Sequence, residues 1–270
     1  MIGIVVPTLG TRPDWLRQCL HSIDQQEGVE MRILIVGPAS DDLAELGDEF
    51  AVGYLRADPN GLSSAINAGW KVLWADCEFL TWLGDDDLLA PGSFFHSQKA
   101  LEATPTAAFV YGRTRYINAA SESIYLASPT NIAPWYMKYG QDYVAQPGSL
   151  VRRSAIMWDP PLDANLKNSM DLDLFLRLAA PGRHRWVYLR REVSAYRLHP
   201  GAITSNKGIA DEGDIVRDAY GRSRRHRVLR RFALRYLERV FVWFQWHTPS
   251  PAVPLLGDES YLIAASGASR

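Results

Sequence analysis

Four short apolar runs, at positions 3–6, 31–36, 52–55 and 78–83, are separated by stretches of helical spacing, and no other feature constrains the fold as much. Runs of that length suit strands buried on both faces. Between the first two, Trp15, Leu16, Cys19, Leu20 and Ile23 recur every three or four residues after Pro13, a residue at home in a first helical turn. Residues 41–50 read as a short helix. After the turn signal DPNG, Leu62, Ala65, Ile66, Gly69 and Leu73 repeat the helical spacing. This alternation predicts an α/β fold, a Rossmann-like and mostly parallel central sheet flanked by helices. Ligands of such sheets bind beyond the carboxyl ends of the strands, so the loops after Val6 and Leu83 are the first candidates.

The second half is less regular. Residues 107–111, 149–152 and 193–198 read as strands, and 170–178 as a helix. From 214 to 246 the pattern turns helical and basic. We divide the chain into a catalytic unit at 1–205 and a basic amphipathic extension with a tail at 206–270. A chain of 270 residues supports a core of this size without staples. Cys19 and Cys77 have no metal spacing and read as small core residues. The chain opens on a strand without a basic leader, and no run reaches the roughly 20 apolar residues of a membrane span. A cytoplasmic location is expected.

The most informative stretch is FLTWLGDDDLLAPGSF, residues 79–94. Three adjacent carboxylates repel one another unless a cation or several donors compensate them. After an apolar strand they suit a hard divalent ion shared with substrate phosphates. The plainer reading is a solvated acidic turn in which one aspartate caps the next helix.

Six segments, in order and in register over residues 2–205, carry a resemblance: IGIVVPTLGTRPDWLRQCLHSIDQQ, MRILIVGPASDD, NGLSSAINAGW, LGDDDLLAPG, NSMDLDLFLRLA and AYRLHPGAIT. Together they resemble the inverting, family-two glycosyltransferases of the type-A nucleotide-sugar fold. The resemblance implies Asp86 as a metal ligand, with Asp87 and His199 completing the metal or phosphate site, and Mg²⁺ or Mn²⁺ as the cofactor. It implies that Pro7, Thr8, Arg12, Gly61, Asn67 and Asp85 surround the nucleotide sugar. It makes Asp171 the catalytic base, at the mouth of its helix, where a carboxylate can take the proton of an attacking hydroxyl. The same aspartate also suits a helix N-terminus on electrostatic grounds alone. Trp135 and Gln146 fall where relatives bind acceptor. The sequence departs from the family pattern at Gly84, at Gly37 or Pro38, and at Ile66, which leaves the base open among UDP, dTDP and GDP.

The expected function is metal-dependent, inverting transfer of a sugar from a nucleoside-diphosphate sugar to a carbohydrate or lipid-linked acceptor, in polysaccharide, glycolipid or other glycoconjugate synthesis. The alternative is a degenerate module that binds glycan or a partner enzyme. A dehydrogenase would carry GxGxxG after the first strand, and PTLGTRPDW does not. The segment GRSRRHRVLRRFALRYLERVFVWFQW joins an apolar stripe to an arginine cluster from Arg222 to Arg231. It suits either the inner face of a membrane or packing against this or another subunit. No nucleic-acid module accompanies the charge.

Overall fold

In the first strand, β1 (Ile2–Pro7), every residue is buried. Ile2, Ile4 and Val6 enter one apolar cluster with Leu16, Cys19, Leu20 and Ile23 of α1 (Pro13–Asp24). Val5 points the other way, towards Ile66, Trp70 and Leu73 of α3 (Leu62–Leu73). The twofold alternation of a strand thus feeds a core on each face of the sheet. Gly69 lets α3 approach: a Cβ there would stand 2.5 Å from a Val5 methyl. Cys19 and Cys77 are buried and free, as expected of small core residues.

The computed structural model describes residues 1–57, 60–139, 142, 144–179, 185–202 and 209–220, without the side chains of residues 135, 139 and 209–211. Parallel pairing joins β3 (Gly53–Arg56), β2 (Met31–Gly37), β1 and β4 (Phe79–Trp82) in that order, with α2 (Asp41–Glu49) connecting β2 to β3. A two-residue strand, β5 (Leu88–Leu89), and α4 (Ser93–Glu102) follow the acidic loop.

Beyond residue 105 the sheet becomes mixed. β6 (Ala107–Ile117) turns back into β7 (Ser123–Ala127), and α5 (Ala133–Tyr139) leads to β8 (Leu150–Arg152). β8 is antiparallel to both β4 and β6. After α6 (Met170–Leu178), the long strand β9 (Arg185–Arg197) runs parallel to β6 and closes antiparallel on β5. The full order is β3-β2-β1-β4-β8-β6-β9-β5, with β7 on the side of β6. The last described helix, α7 (Ile209–Ala219), packs on α6 and buries Val216 and Arg217. The basic segment from Arg222 lies outside the described residues. Among the described residues no helix is long and apolar enough to cross a membrane.

Candidate active site

The loops after β1 and β4 meet, as the parallel arrangement requires. Thr8 continues β1 by donating its N–H to Val36, which leaves its hydroxyl free to donate to Asp85 Oδ2 at 2.6 Å. Pro7 ends β1 opposite Val36. Arg12, just before α1, reaches across with Nη2 to Asp85 Oδ1 at 2.7 Å and Nη1 to Asp86 Oδ2 at 3.1 Å. His199 arrives from the segment after β9 and places Nε2 2.8 Å from the same Asp86 oxygen and 2.9 Å from Arg12 Nη1. The Gly201 N–H donates to its Nδ1 at 3.2 Å, while Nε2 faces both a donor, Arg12 Nη1, and an acceptor, Asp86 Oδ2.

The acidic triplet is a turn, with the Asp87 N–H donating to the Gly84 carbonyl. Its three carboxylates have different surroundings. Burial pushes the Asp85 carboxyl up, opposed by Thr8 and Arg12. Asp87 is buried too; burial and the Asp86 charge hold its carboxyl well above the ordinary range. Its Oδ1 accepts from the Arg197 N–H at 3.0 Å. A Cβ at position 84 would lie 2.8 Å from Asp86 Oδ1 and 3.0 Å from Asp87 Oδ2, so glycine makes room for the turn's own carboxylates. The departure at Gly37 is steric as well: a Cβ there would stand 2.7 Å from the Thr8 carbonyl oxygen.

Arg197 and Trp15 also border this cluster, although neither stood among the expected site residues. The Arg197 side chain is fully buried. It donates Nε to the Asp86 carbonyl, Nη2 to Gln18 and Nη1 to Ser121 and the carbonyls of Asn118 and Ala119. Trp15 lies 4.8 Å from the His199 ring, with the guanidinium carbons of Arg197 and Arg12 at 5.0 and 5.7 Å from its centroid. It gives the cationic side of the site an aromatic floor.

The other sequence-identified residues are spread more widely. Gly61 begins α3 at φ 97°, in open space, so backbone angle rather than crowding favours glycine. Both ends of the Asn67 amide bond the backbone of Leu162, tying α3 to the segment before α6. Gln146 is buried and donates to the carbonyl of Trp82, at the end of β4. Trp135 belongs to α5, but its side chain is outside the described residues. Asp171 stands in the first turn of α6, with Oδ1 accepting from the Leu172 N–H at 2.8 Å. Burial, reinforced by Asp142, pushes its carboxyl up to about 7. Asp173, two residues on, bonds Arg177 and the Tyr220 hydroxyl instead.

Asp86 Oδ2 and His199 Nε2 form a convergent oxygen–nitrogen pair, a donor set that suits Mn²⁺ better than Mg²⁺. Among the described residues no group of three or more His, Cys, Asp or Glu would hold an ion by itself. With two ligands supplied by this pair, an ion here would take the rest of its shell from substrate phosphates and water. Arg12 now directs its own positive charge at that pair.

A family model described as glycosyl transferase family 2 matches residues 3–156. No curated protein matches the chain. Among solved structures, S. aureus TarS 1–349 in complex with UDP-GlcNAc has a TM-score of 0.59 at 14% identity, over 80% of this chain and 65% of that one. The same protein in complex with UDP gives 0.59 at 14% identity, over 81% and 64%. A longer S. aureus TarS structure gives 0.55 at 14% identity, over 74% and 37%. The chain thus spans less than two thirds of each of these TarS structures. At such identity the likeness is one of fold, the type-A glycosyltransferase fold.

Proposed function

We propose a function from a plain premise: the chain belongs to glycosyl transferase family 2 and is a glycosyltransferase. In this reading it transfers a sugar from a nucleoside-diphosphate donor to an acceptor hydroxyl with inversion and with the help of a divalent ion. The observation that carries the reading is the convergence of Thr8, Arg12, Asp85, Asp86 and His199, through contacts of 2.6 to 3.1 Å, at the ends of β1 and β4. The UDP-GlcNAc and UDP complexes of TarS make a uridine nucleotide the first donor to try.

Asp86 and His199 would hold the ion. When bound, it would stabilise the negative charge that develops on the departing diphosphate. Arg12 is the movable cation of the site. Partly exposed and joined to two carboxylates, it can turn from Asp86 towards a phosphate once an ion takes its place. Thr8 holds Asp85 in place, and Asp85 in turn contacts the ribose or the phosphates. Asp171 takes the proton of the attacking hydroxyl as the new glycosidic bond forms and the bond to diphosphate breaks. A carboxyl titrating near 7 is ionised for about half the molecules at neutral pH and holds a transferred proton well.

Trp135 and Gln146 belong to the acceptor side in this reading, and the acceptor is a glycan or a lipid-linked sugar of a glycoconjugate pathway. The basic segment from Arg222 would hold the enzyme at the inner membrane surface or against a second copy. Calorimetric titration with UDP, dTDP and GDP, each with and without Mn²⁺, tests the donor side. Metal-enhanced binding of one nucleotide supports the reading; no binding to folded protein favours a non-catalytic module.

A further inference from the structure

α7 lies beyond the stretch matched by the family model, yet it grips the start of α6. The Glu212 carboxylate accepts three consecutive backbone N–H groups, from Lys167 at 2.9 Å on one oxygen and from Asn168 and Ser169 at 2.6 and 2.7 Å on the other. These residues lead directly into the helix that bears Asp171. The backbone passes close at the next residue: a Cβ on Gly213 would lie 3.6 Å from Ser169 Oγ and 3.7 Å from a Leu172 methyl. A turn later the buried Arg217 donates Nε to the Met137 carbonyl of α5 and Nη2 to Asp142. At the end of the helix, the Tyr220 hydroxyl donates to Asp173.

We propose that Glu212 is a positioning residue for the base: by fixing the N–H groups of residues 167–169 it sets where α6 begins and therefore where the Asp171 carboxylate stands. The proposal rests on the reading of Asp171 as the base. A carboxylate is the group this geometry requires. Successive N–H groups form a concave anion site, and charge-assisted bonds to it are short and strong. Glutamine has nearly the same shape but turns an NH₂ donor towards one or more of these N–H groups. The ionisable groups bearing on Asp171 are Asp142 and Arg217, the second of them supplied by α7. Helix α7 thereby joins α5, where acceptor is expected, to the base.

The test uses the full-length protein and needs no knowledge of the sugar. Carbon-13 labelling of aspartate carboxyls, with the Asp171 signal assigned by its loss in Asp171→Asn, gives its titration directly. Hydrogen exchange gives the protection of amides 167–173. In Glu212→Gln we expect amides 167–169 to exchange about tenfold faster or more, the scale of one lost bond. The Asp171 titration should move below about 7, because burial is the main cause of its rise and a loosened helix start leaves the carboxyl less enclosed. UDP binding should stay within about twofold of wild type. Glu212→Asp keeps the charge but retreats by one methylene, so it should give a smaller change of the same sign. It also carries the comparison if the glutamine variant does not fold. Wild-type exchange and wild-type Asp171 titration in a folded variant would overturn the proposal. If instead Asp171→Asn transferred sugar at the wild-type rate, the base assignment would fall, while exchange and titration would still report on Glu212.

Discussion

The acidic turn after β4 and the mouth of α6 both withdraw carboxylates from water, yet they compensate them differently. Asp85 and Asp86 face the partly exposed Arg12 guanidinium, and Asp87 sits against Arg197. Asp171 has a backbone N–H for a partner, another carboxylate nearby in Asp142, and Arg217 as a weaker counterweight. Burial raises Asp85 and Asp87 in the turn too, but there arginines stand against the carboxylates and oppose it, and one cation can be exchanged for another, which suits diphosphate and metal. A site closed around a carboxylate without a direct cation raises its proton affinity, which suits general-base work.

Asp171→Asn breaks the second half of this contrast and should have the largest effect. Transfer should fall by about 10²- to 10⁴-fold, the usual weight of a general base, with nucleotide affinity unchanged. The same substitution should raise Tm by a few degrees at pH 8. A carboxyl raised in the folded state binds more protons there than when unfolded, so stability declines as pH climbs from the ordinary carboxylate range through about 7. Thermal melts at pH 5 and pH 8 check this: the gain should vanish at the lower pH. Asp86→Asn attacks the first half, and loss of one group that stabilises leaving-group charge costs on the order of 10² to 10³ in turnover. Here, unlike Asp171→Asn, the Mn²⁺ enhancement of nucleotide binding should disappear as well.

Changing pH sharpens the contrast without substitution. Turnover should fall about tenfold per unit below about 7, where Asp171 becomes protonated, and a flat profile would show that it is not the base. Arg12→Gln should shift metal and nucleotide in opposite directions. Mn²⁺ binding without nucleotide, followed by electron paramagnetic resonance, should tighten as the competing cation is removed. UDP affinity should weaken about tenfold, the scale of a charge-assisted contact. Gly84→Ala should have the smallest effect, a loss of turnover of roughly threefold to tenfold as the Asp86 and Asp87 carboxylates give way to the new methyl.

What could be read from the sequence follows the range of the forces involved. β1 to β4 and their helices are written locally, as apolar runs and helical periods, and the structure has them nearly where those patterns place them. β6 and β9 run well beyond the expected 107–111 and 193–198. Gly112, Arg113 and Arg115 in β6 and Arg190, Arg191 and Glu192 in β9 mask the strand signal, and β6–β9 pairing with its register shifts holds those segments extended. Asp85, Asp86 and His199 were legible as motif positions, and the fold brings them together. Asn67 matched a motif too, yet its amide engages Leu162 backbone 95 residues away. Trp15 reads locally only as part of the α1 stripe and Arg197 only as part of a motif, and nothing local marks Glu212; the contacts that tie them to the site come largely from partners distant in sequence.

The Arg197 guanidinium has a consequence for how the chain is made. Synthesis runs from the N-terminus, and domains begin to fold as they emerge. The parallel strands β1 to β4 are complete by Trp82, and the acidic turn follows at once. Its buried counter-charge, the Arg197 guanidinium that donates Nε to the Asp86 carbonyl, arrives 111 residues later, with the final residue of β9. A nascent chain that already holds the family-matched residues 3–156 therefore carries Asp87 without its partner. Only when β9 inserts between β6 and β5 does the turn acquire the arginine that fixes it. Completion of the site thus waits for the far end of the fold, and an incomplete chain lacks part of the donor site even where its sheet has formed.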